Sequence, residues 1–299
     1  MSEHRSGFIS LSGRPNVGKS TLLNRLVGSM VSITSNKPQT TRNRVLGVLT
    51  RPGAQFVFVD TPGIHQPKSA LGEMMVKEAR TALSDADVRL ILISAPDGLR
   101  QADWDIISKK RQKGPAFLVI NKADAVKKTD ILEITQRANE LFTFDETVPI
   151  SAIRGDNTDL LLDLVEKALP PGPMFFPEDF LTDQPERVIW GELIRGRALI
   201  HLRDEVPHGV AVEILSAAKR DSRDMMDIEA MIYCEKSTHK GIIIGHGGEM
   251  LKRIGSESRR DLERLIGTAV HLNLWVKVKK DWRDNAYLAR TLGGFNLDK

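Results

Sequence analysis

The chain has 299 residues, 41% of them hydrophobic and 27% charged, with a formal net charge of +4. That is the composition of a globular protein of one or two domains, each long enough to bury a core. No apolar run approaches the ~20 residues that cross a bilayer, the N-terminus carries no secretory h-region, and a single cysteine, Cys234, excludes an internal disulfide framework and fits a reducing cytoplasm.

The first half alternates strand-like and helical runs up to about residue 169, which predicts a mostly parallel sheet with helices on both faces. Residues 7–12 form a short apolar run that predicts a buried strand. It leads into Gly13-Arg14-Pro15-Asn16-Val17-Gly18-Lys19-Ser20, and Thr21 then opens a helical pattern that stops at Gly28. Two glycines at this spacing followed by Lys and Ser form the phosphate-binding P-loop pattern. The glycines let main-chain amides wrap a phosphate, and the following helix adds its positive end. In such a loop Lys19 reaches the β- and γ-phosphates and the Ser20 hydroxyl faces Mg²⁺.

Residues 35–42 are polar and broken by Pro38, which predicts a loop. A threonine here suits a second Mg²⁺ ligand that senses the γ-phosphate, Thr41 in preference to Thr40. Two strands follow, 45–49 and 55–59, around the turn Arg51-Pro52-Gly53. The second ends in Asp60-Thr61-Pro62-Gly63. A carboxylate at that strand end is placed to hold Mg²⁺ through water, and the Gly63 amide to bond the γ-phosphate and release when it leaves.

Residues 88–94 and 116–120 predict two more buried strands. The second runs into Asn121-Lys122-Ala123-Asp124. An Asp carboxylate accepts both the N1–H and the 2-amino group of guanine, whereas adenine leaves it unpaired, a mismatch costing several kcal/mol. Asn121 is expected to bridge base and P-loop, and the Lys122 stem to cover the ring. After the last short strand, 147–150, Ser151-Ala152 offers the Ala152 amide to guanine O6.

Residues 170–177, Pro-Pro-Gly-Pro-Met-Phe-Phe-Pro, interrupt all periodicity and predict a spacer. The expected division is therefore 1–169, a linker over 170–186, and a second domain over 187–299. From Phe175 onward there are twenty Lys/Arg against twenty Asp/Glu, so nucleic-acid binding has to rest on local clusters rather than bulk charge. Residues 187–203 have helical spacing, and 210–215 and 228–235 predict strands joined by a hairpin. Lys240 and an apolar Ile242–Ile244 lead-in precede Gly245-His246-Gly247-Gly248 and a helix carrying Lys252 and Arg253. Such a Gly-x-x-Gly loop brings backbone close to a sugar–phosphate chain and clamps about four nucleotides. Between 236 and 260 six basic residues stand against two acidic ones, a local stripe of the kind that matters for RNA. Residues 270–279 alternate as a half-buried strand. Trp275 on its polar face calls for a cover, either a closing helix over 284–292 or a stacked base.

The first five motifs, in this order, resemble the small GTP-binding proteins of the translation-factor-like branch, which Asn16 and Ile64 also match. Ile64 stands where many signalling relatives place a water-orienting Gln, and His65 lies nearby. Some relatives with Asn at the position of Asn16 hold a K⁺ ion there, so Asn16 and the missing Gln together suggest K⁺-stimulated hydrolysis. The second half resembles a type II KH domain. A GTPase domain followed by such a domain resembles the bacterial Era GTPase family over nearly the whole chain, including Phe176-Pro177-Glu178-Asp179 and residues 272–279. The resemblance implies an α/β P-loop GTPase domain and a smaller α+β KH domain. It also implies a monomer that binds GTP/GDP and Mg²⁺, hydrolyses GTP, contacts 16S rRNA near its 3′ end, assists small-subunit maturation, and associates peripherally with the inner membrane.

Overall fold

The computed structural model describes residues 3–34, 42, 44–60, 71, 73, 86–107, 114–203, 206–220 and 224–293. They form two compact units, and the chain passes from the first to the second for the last time between Asp183 and Gln184.

The first unit is built on six strands: β1 (Arg5–Ser12), β2 (Val45–Arg51), β3 (Ala54–Asp60), β4 (Val88–Ser94), β5 (Ala116–Asn121) and β6 (Glu146–Pro149). Their order is β2-β3-β1-β4-β5-β6, parallel except for the antiparallel pair β2/β3. Every residue of β3, β4 and β5 is buried, as strands covered on both faces must be. Alternation along β4 divides the core. Leu90 and Leu92 join one apolar cluster with Leu22 and Leu23 of α1 (Lys19–Val27) and Leu161 and Val165 of α4 (Thr158–Ala168). Ile91 and Ile93 join the opposite cluster with Ile107 of α2 (Gln101–Ile107) and Ile134 of α3 (Lys128–Asn139). A side chain as completely buried as Leu161 contributes about 1.5–3 kcal/mol. β1 lies between β3 and β4, where the strand order reverses, so its C-terminal end opens on the crevice in which such sheets bind ligands.

The Pro-rich stretch expected as a spacer is packed onto this first unit through residue 183. Gln55 Oε1 accepts from the Phe175 and Phe176 amides at 2.7 and 3.0 Å. Phe176 and Phe180 stack at 4.7 Å against Val48 and Val57. The Val48 amide donates to the Leu181 carbonyl at 2.8 Å, so the segment covers the backbone of edge strand β2. Proline composition predicted the break in periodicity, but the apolar Phe side chains and one buried glutamine turn the break into a strap.

The second unit contains α5 (Glu186–His201), β7 (Ala211–Lys219), β8 (Met225–Cys234), α6 (Ser237–Ile244), α7 (Glu249–Ile266), β9 (Ala269–Val278) and α8 (Ala286–Leu292). Its sheet runs β7-β8-β9, antiparallel then parallel. The parallel return from β8 to β9 needs a crossover, and α6, the glycine loop and α7 supply it. Ile194 and Ala198 of α5, Ile243 of α6 and Ile254 and Leu262 of α7 bury the inner face of the sheet. Arg42 belongs to this unit; it is buried with its guanidinium 5.3 Å from the ring centre of Trp282. The closing helix α8 touches β7 rather than hiding Trp275, which remains 43% exposed. The expectation that α8 covers this ring is therefore corrected.

Candidate nucleotide and RNA sites

The loop between β1 and α1 is held by its own side chains. Lys19 is buried and its Nζ donates to the carbonyls of Gly13 at 2.9 Å and Arg14 at 3.2 Å. Burial pushes its amine below the ordinary lysine range; Asp60 opposes that shift and Arg14 adds to it. Gly18 sits at φ +100°, and a Cβ there would fall 2.2 Å from Asn121 Nδ2, so no side chain fits. Asn16 is also left-handed, at φ +66°, and Thr21 lies in the first turn of α1 beside Ser20. Arg14 donates through Nε to Asp103 and through Nη2 to Asp97, both at 2.9 Å. The Arg14–Asp103 pair is nearly sealed from water, which ties the loop to α2. No local pattern in the sequence pointed to Arg14, Asp97 or Asp103.

The parallel register of β1 and β3 sets Asp60 opposite Leu11, beside this loop. The Ser20 hydroxyl donates to Asp60 Oδ2 at 2.7 Å, and Ser32 approaches the same oxygen at 3.4 Å. A hydroxyl and a fully buried carboxylate are the hard oxygen donors Mg²⁺ takes. The structure thus brings Ser20 and Asp60 together. Thr41 and Gly63, with Thr40, Ile64 and His65, lie outside the described residues.

Asn121 closes the site on the other side. Its Nδ2 donates to the Val17 carbonyl at 2.8 Å, and its Oδ1 accepts the Lys122 amide at 2.8 Å and the Ala152 amide at 3.0 Å. Lys122 adopts φ 62°, ψ 34°, and its Nζ donates to the Asn16 carbonyl at 2.9 Å. Left-handed backbone at a lysine is strain of the sort that persists where surroundings enforce it. Asp124 is exposed on the short 3₁₀ turn Ala123–Ala125. The Ala152 amide, the expected donor to guanine O6, donates here to Asn121 Oδ1. Ser151 caps its own turn, with its hydroxyl accepting from the Arg154 amide at 3.2 Å. Arg25 on α1 donates to the Ala152 and Ile153 carbonyls, a contact that nothing in its sequence setting announced.

In the second unit, Gly245 at φ +76° packs so closely that a Cβ would meet that of Met250 at 2.7 Å. Gly247 and Gly248, at φ +57° and +84°, face open space. Next to the loop, α7 and β9 enclose a groove of about 380 Å³. Gly248 opens it; Leu251, Leu272 and Leu274 make it apolar, and Lys252, Ser256 and Arg259 give it a polar wall. Of the residues expected to meet RNA, Gly248 and Lys252 line this groove. Lys240 on α6, His246 in the glycine loop and Arg253 on α7 are exposed, and Arg253 lies 3.6 Å from Glu257. Ser256 and Arg259 were missed, although steps of three and four along α7 from Lys252 put them on its face.

Two family matches coincide with these units: residues 8–122 match the family described as 50S ribosome-binding GTPase, and residues 205–283 match the KH domain. The chain is 50% identical over 291 residues to GTPase Era of Ruminiclostridium cellulolyticum, covering 97% of both chains. It resembles, with a TM-score of 0.92, the crystal structure of an Era in complex with MgGDPNP and nucleotides 1506–1542 of 16S ribosomal RNA. Identity there is 42%, covering 97% of this chain and 99% of that one. A variant of Aquifex aeolicus Era bound to GDP·AlF4⁻ gives a TM-score of 0.91 at 41% identity, with the same coverage. With half of its residues identical to a curated relative over nearly its entire length, the chain belongs to the GTPase Era family.

Proposed function

We propose that the chain is a GTP-hydrolysing switch whose nucleotide state governs the KH unit, and that the KH unit binds 16S rRNA near its 3′ end during maturation of the small (30S) subunit. The observation that carries the nucleotide half is Asn121. One side chain bonds the P-loop through Val17 and the base-reading loop through Ala152, so phosphate and purine recognition form a single rigid unit. In this reading the main-chain N–H groups of residues 16–21 hold the phosphates, and Lys19, dehydrated among carbonyls, meets charge that grows on them. Ser20, Asp60 and Thr41 hold Mg²⁺, which neutralises the β- and γ-oxygens when bound. Gly63 and Thr41 are assigned by their place in the motifs, and Asn16 is assigned to K⁺. Asp124 reads the guanine edge, with Lys122 against the ring. The Ala152 amide reaches O6 by sharing its bond with Asn121.

For RNA, Gly245 lets the loop close on Met250, and the bare glycines at 247 and 248 let the strand approach it. Bases enter the apolar groove, while Lys252 and Arg259 line its wall and the exposed Lys240, His246 and Arg253 meet the strand. The relative bound to nucleotides 1506–1542 of 16S rRNA supports this choice of ligand. The protein acts as a monomer in the cytoplasm and meets the inner membrane only peripherally; among the described residues no helix is long and apolar enough to cross one.

The test is competition: GTP displaces labelled GDP while equal ATP does not, and a 3′-terminal rRNA oligonucleotide binds with an affinity that differs between GTP-analogue and GDP forms. Equal competition by ATP overturns the nucleotide reading; nucleotide-independent RNA binding overturns the switch. Hydrolysis at matched ionic strength in K⁺ and Na⁺ tests the cation, and equal rates remove it.

A further inference from the structure

We propose that Ser32, fixed in place by Asn24, is a positioning residue for Asp60 and sets how strongly Mg²⁺ tightens nucleotide binding. The inference rests on the reading above in which Ser20 and Asp60 hold the metal. Ser20 and Asn24 are four residues apart on α1 and so share a face. From that face the Asn24 side chain grips the chain that follows the helix. Its Oδ1 accepts the amides of Val31 and Ser32, both at 3.0 Å, and its Nδ2 donates to the Ser32 carbonyl at 2.6 Å. Two of these three bonds hold the Ser32 backbone, one at its N–H and one at its C=O, and the third holds the Val31 amide just before it.

The consequence appears at its side chain. Ser32 is 6% exposed, and its hydroxyl lies 3.4 Å from Asp60 Oδ2, the oxygen that also accepts from Ser20 at 2.7 Å. Two hydroxyls fixed to the same helix, one by its place in the first turn and one through Asn24, therefore converge on one carboxylate oxygen. At 3.4 Å the Ser32 contact is longer than a strong O–H···O bond, leaving slack for a small rotation of the carboxylate. Ser20 ligates the metal; Ser32 does not, and acts only by limiting how Asp60 turns. Groups behind a metal's ligands typically alter its affinity tenfold or more. Nothing in this contact reaches the phosphates or the base, so its effect is confined to the metal-dependent part of binding.

Labelled GDP is titrated into the full chain with Mg²⁺ and with EDTA, and the ratio of the two affinities is the readout. Ser32→Ala is expected to shrink the Mg²⁺-dependent gain about tenfold, with the EDTA affinity within about twofold of the parent. Ser32→Thr, which keeps the hydroxyl, restores most of the gain. Asn24→Asp, which keeps the acceptor but loses the bond to the Ser32 carbonyl, falls between. An undiminished gain in Ser32→Ala overturns the inference, and so does an equal loss with and without metal, which marks a merely structural role. If the parent itself gains nothing from Mg²⁺, the metal reading fails first and takes the inference with it.

Discussion

The P-loop and the glycine loop of the KH unit both use glycine to expose backbone, and they do so for different reasons. At Gly18 the protein itself occupies the space a side chain would take, because Asn121 lies 2.2 Å from the missing Cβ. At Gly247 and Gly248, unlike Gly245, a Cβ would meet nothing within 4 Å outside the adjoining residues. The first loop is closed by its own side chains, which hold it ready for a ligand. The second is kept bare for something that arrives. Phosphate recognition in the first unit therefore rests on a buried, mutually bonded set of polar groups, with Asp124 exposed beyond them for the base, and RNA recognition in the second rests on shape and exposed charge.

The largest effect expected from this contrast is at Asp124. Replacing one polar edge by its mismatch in a site built to hydrogen-bond its ligand costs 10³-fold or more. Asp124→Asn should lose GDP by that factor and gain xanthosine diphosphate, measured by competition titration. Retained GDP affinity removes the base-recognition argument. Next in size is Gly247→Asp. Its backbone, φ 57° and ψ 14°, is one that Asp tolerates, and the new side chain enters open space. Unfolding free energy should fall by about 1 kcal/mol, the cost of a side chain on left-handed backbone, and hydrolysis without RNA should be unchanged, while affinity for the 3′-terminal rRNA oligonucleotide falls below detection. A variant that still binds RNA breaks the contrast outright, because bare backbone would then not be what the loop provides.

The same contrast explains what was legible before the structure. Residues 13–20, 60–63, 121–124 and 245–248 are contiguous motifs in which residue type and spacing carry the chemistry, so they could be found in one dimension. Arg14 follows β1 while Asp97 and Asp103 follow β4, and the parallel pairing of those two strands brings them together, so no window of sequence contains all three. Asn24 and Ser32 are near neighbours, but an asparagine inside a helix and a serine after it suggest nothing until the three hydrogen bonds are seen. The division between units at 183/184 falls inside the stretch that proline marked, but proline marks an end to periodicity without saying what the phenylalanines beside it touch. Alternation put Trp275 on the polar face of its strand but could not choose between a closing helix and a stacked base as its cover, and the closing helix leaves it 43% exposed.

A smaller effect separates shape from charge within the RNA groove. Lys252 and Arg259 are exposed on one face of α7, and Arg259 is also 2.9 Å from Glu263. Lys252→Ala should weaken RNA binding by about 1 kcal/mol and reduce the slope of log affinity against log salt by about one, as for a single phosphate contact. Arg259→Ala should cost less, since its charge is already shared with Glu263. A change in affinity with no change in slope would assign Lys252 to base contact and sharpen the division between the apolar floor and the charged rim.

The smallest effect lies on the other face of the KH sheet, where polar groups satisfy one another instead of waiting for a ligand. Ser216 bonds Glu229 at 3.0 Å, Arg220 pairs with Asp227 at 2.9 Å, and the Tyr233 hydroxyl donates to Glu213 at 2.7 Å. Burial pushes the Tyr233 phenol up to about 12, and the hydrogen bond to Glu213 and that carboxylate's charge push the same way. The sign follows from which form is favoured. The folded state prefers the neutral phenol, so this contribution to stability is complete below the ordinary value of about 10 and is lost as pH rises through about 12. Tyr287 is the only other tyrosine, so a Tyr287→Phe chain reports Tyr233 alone. Its tyrosinate absorbance should have a midpoint near 12, and Glu213→Gln in that background should bring the midpoint down. A midpoint near 10 in the folded protein would mean that this face, like the glycine loop, holds its polar groups open to what lies outside it.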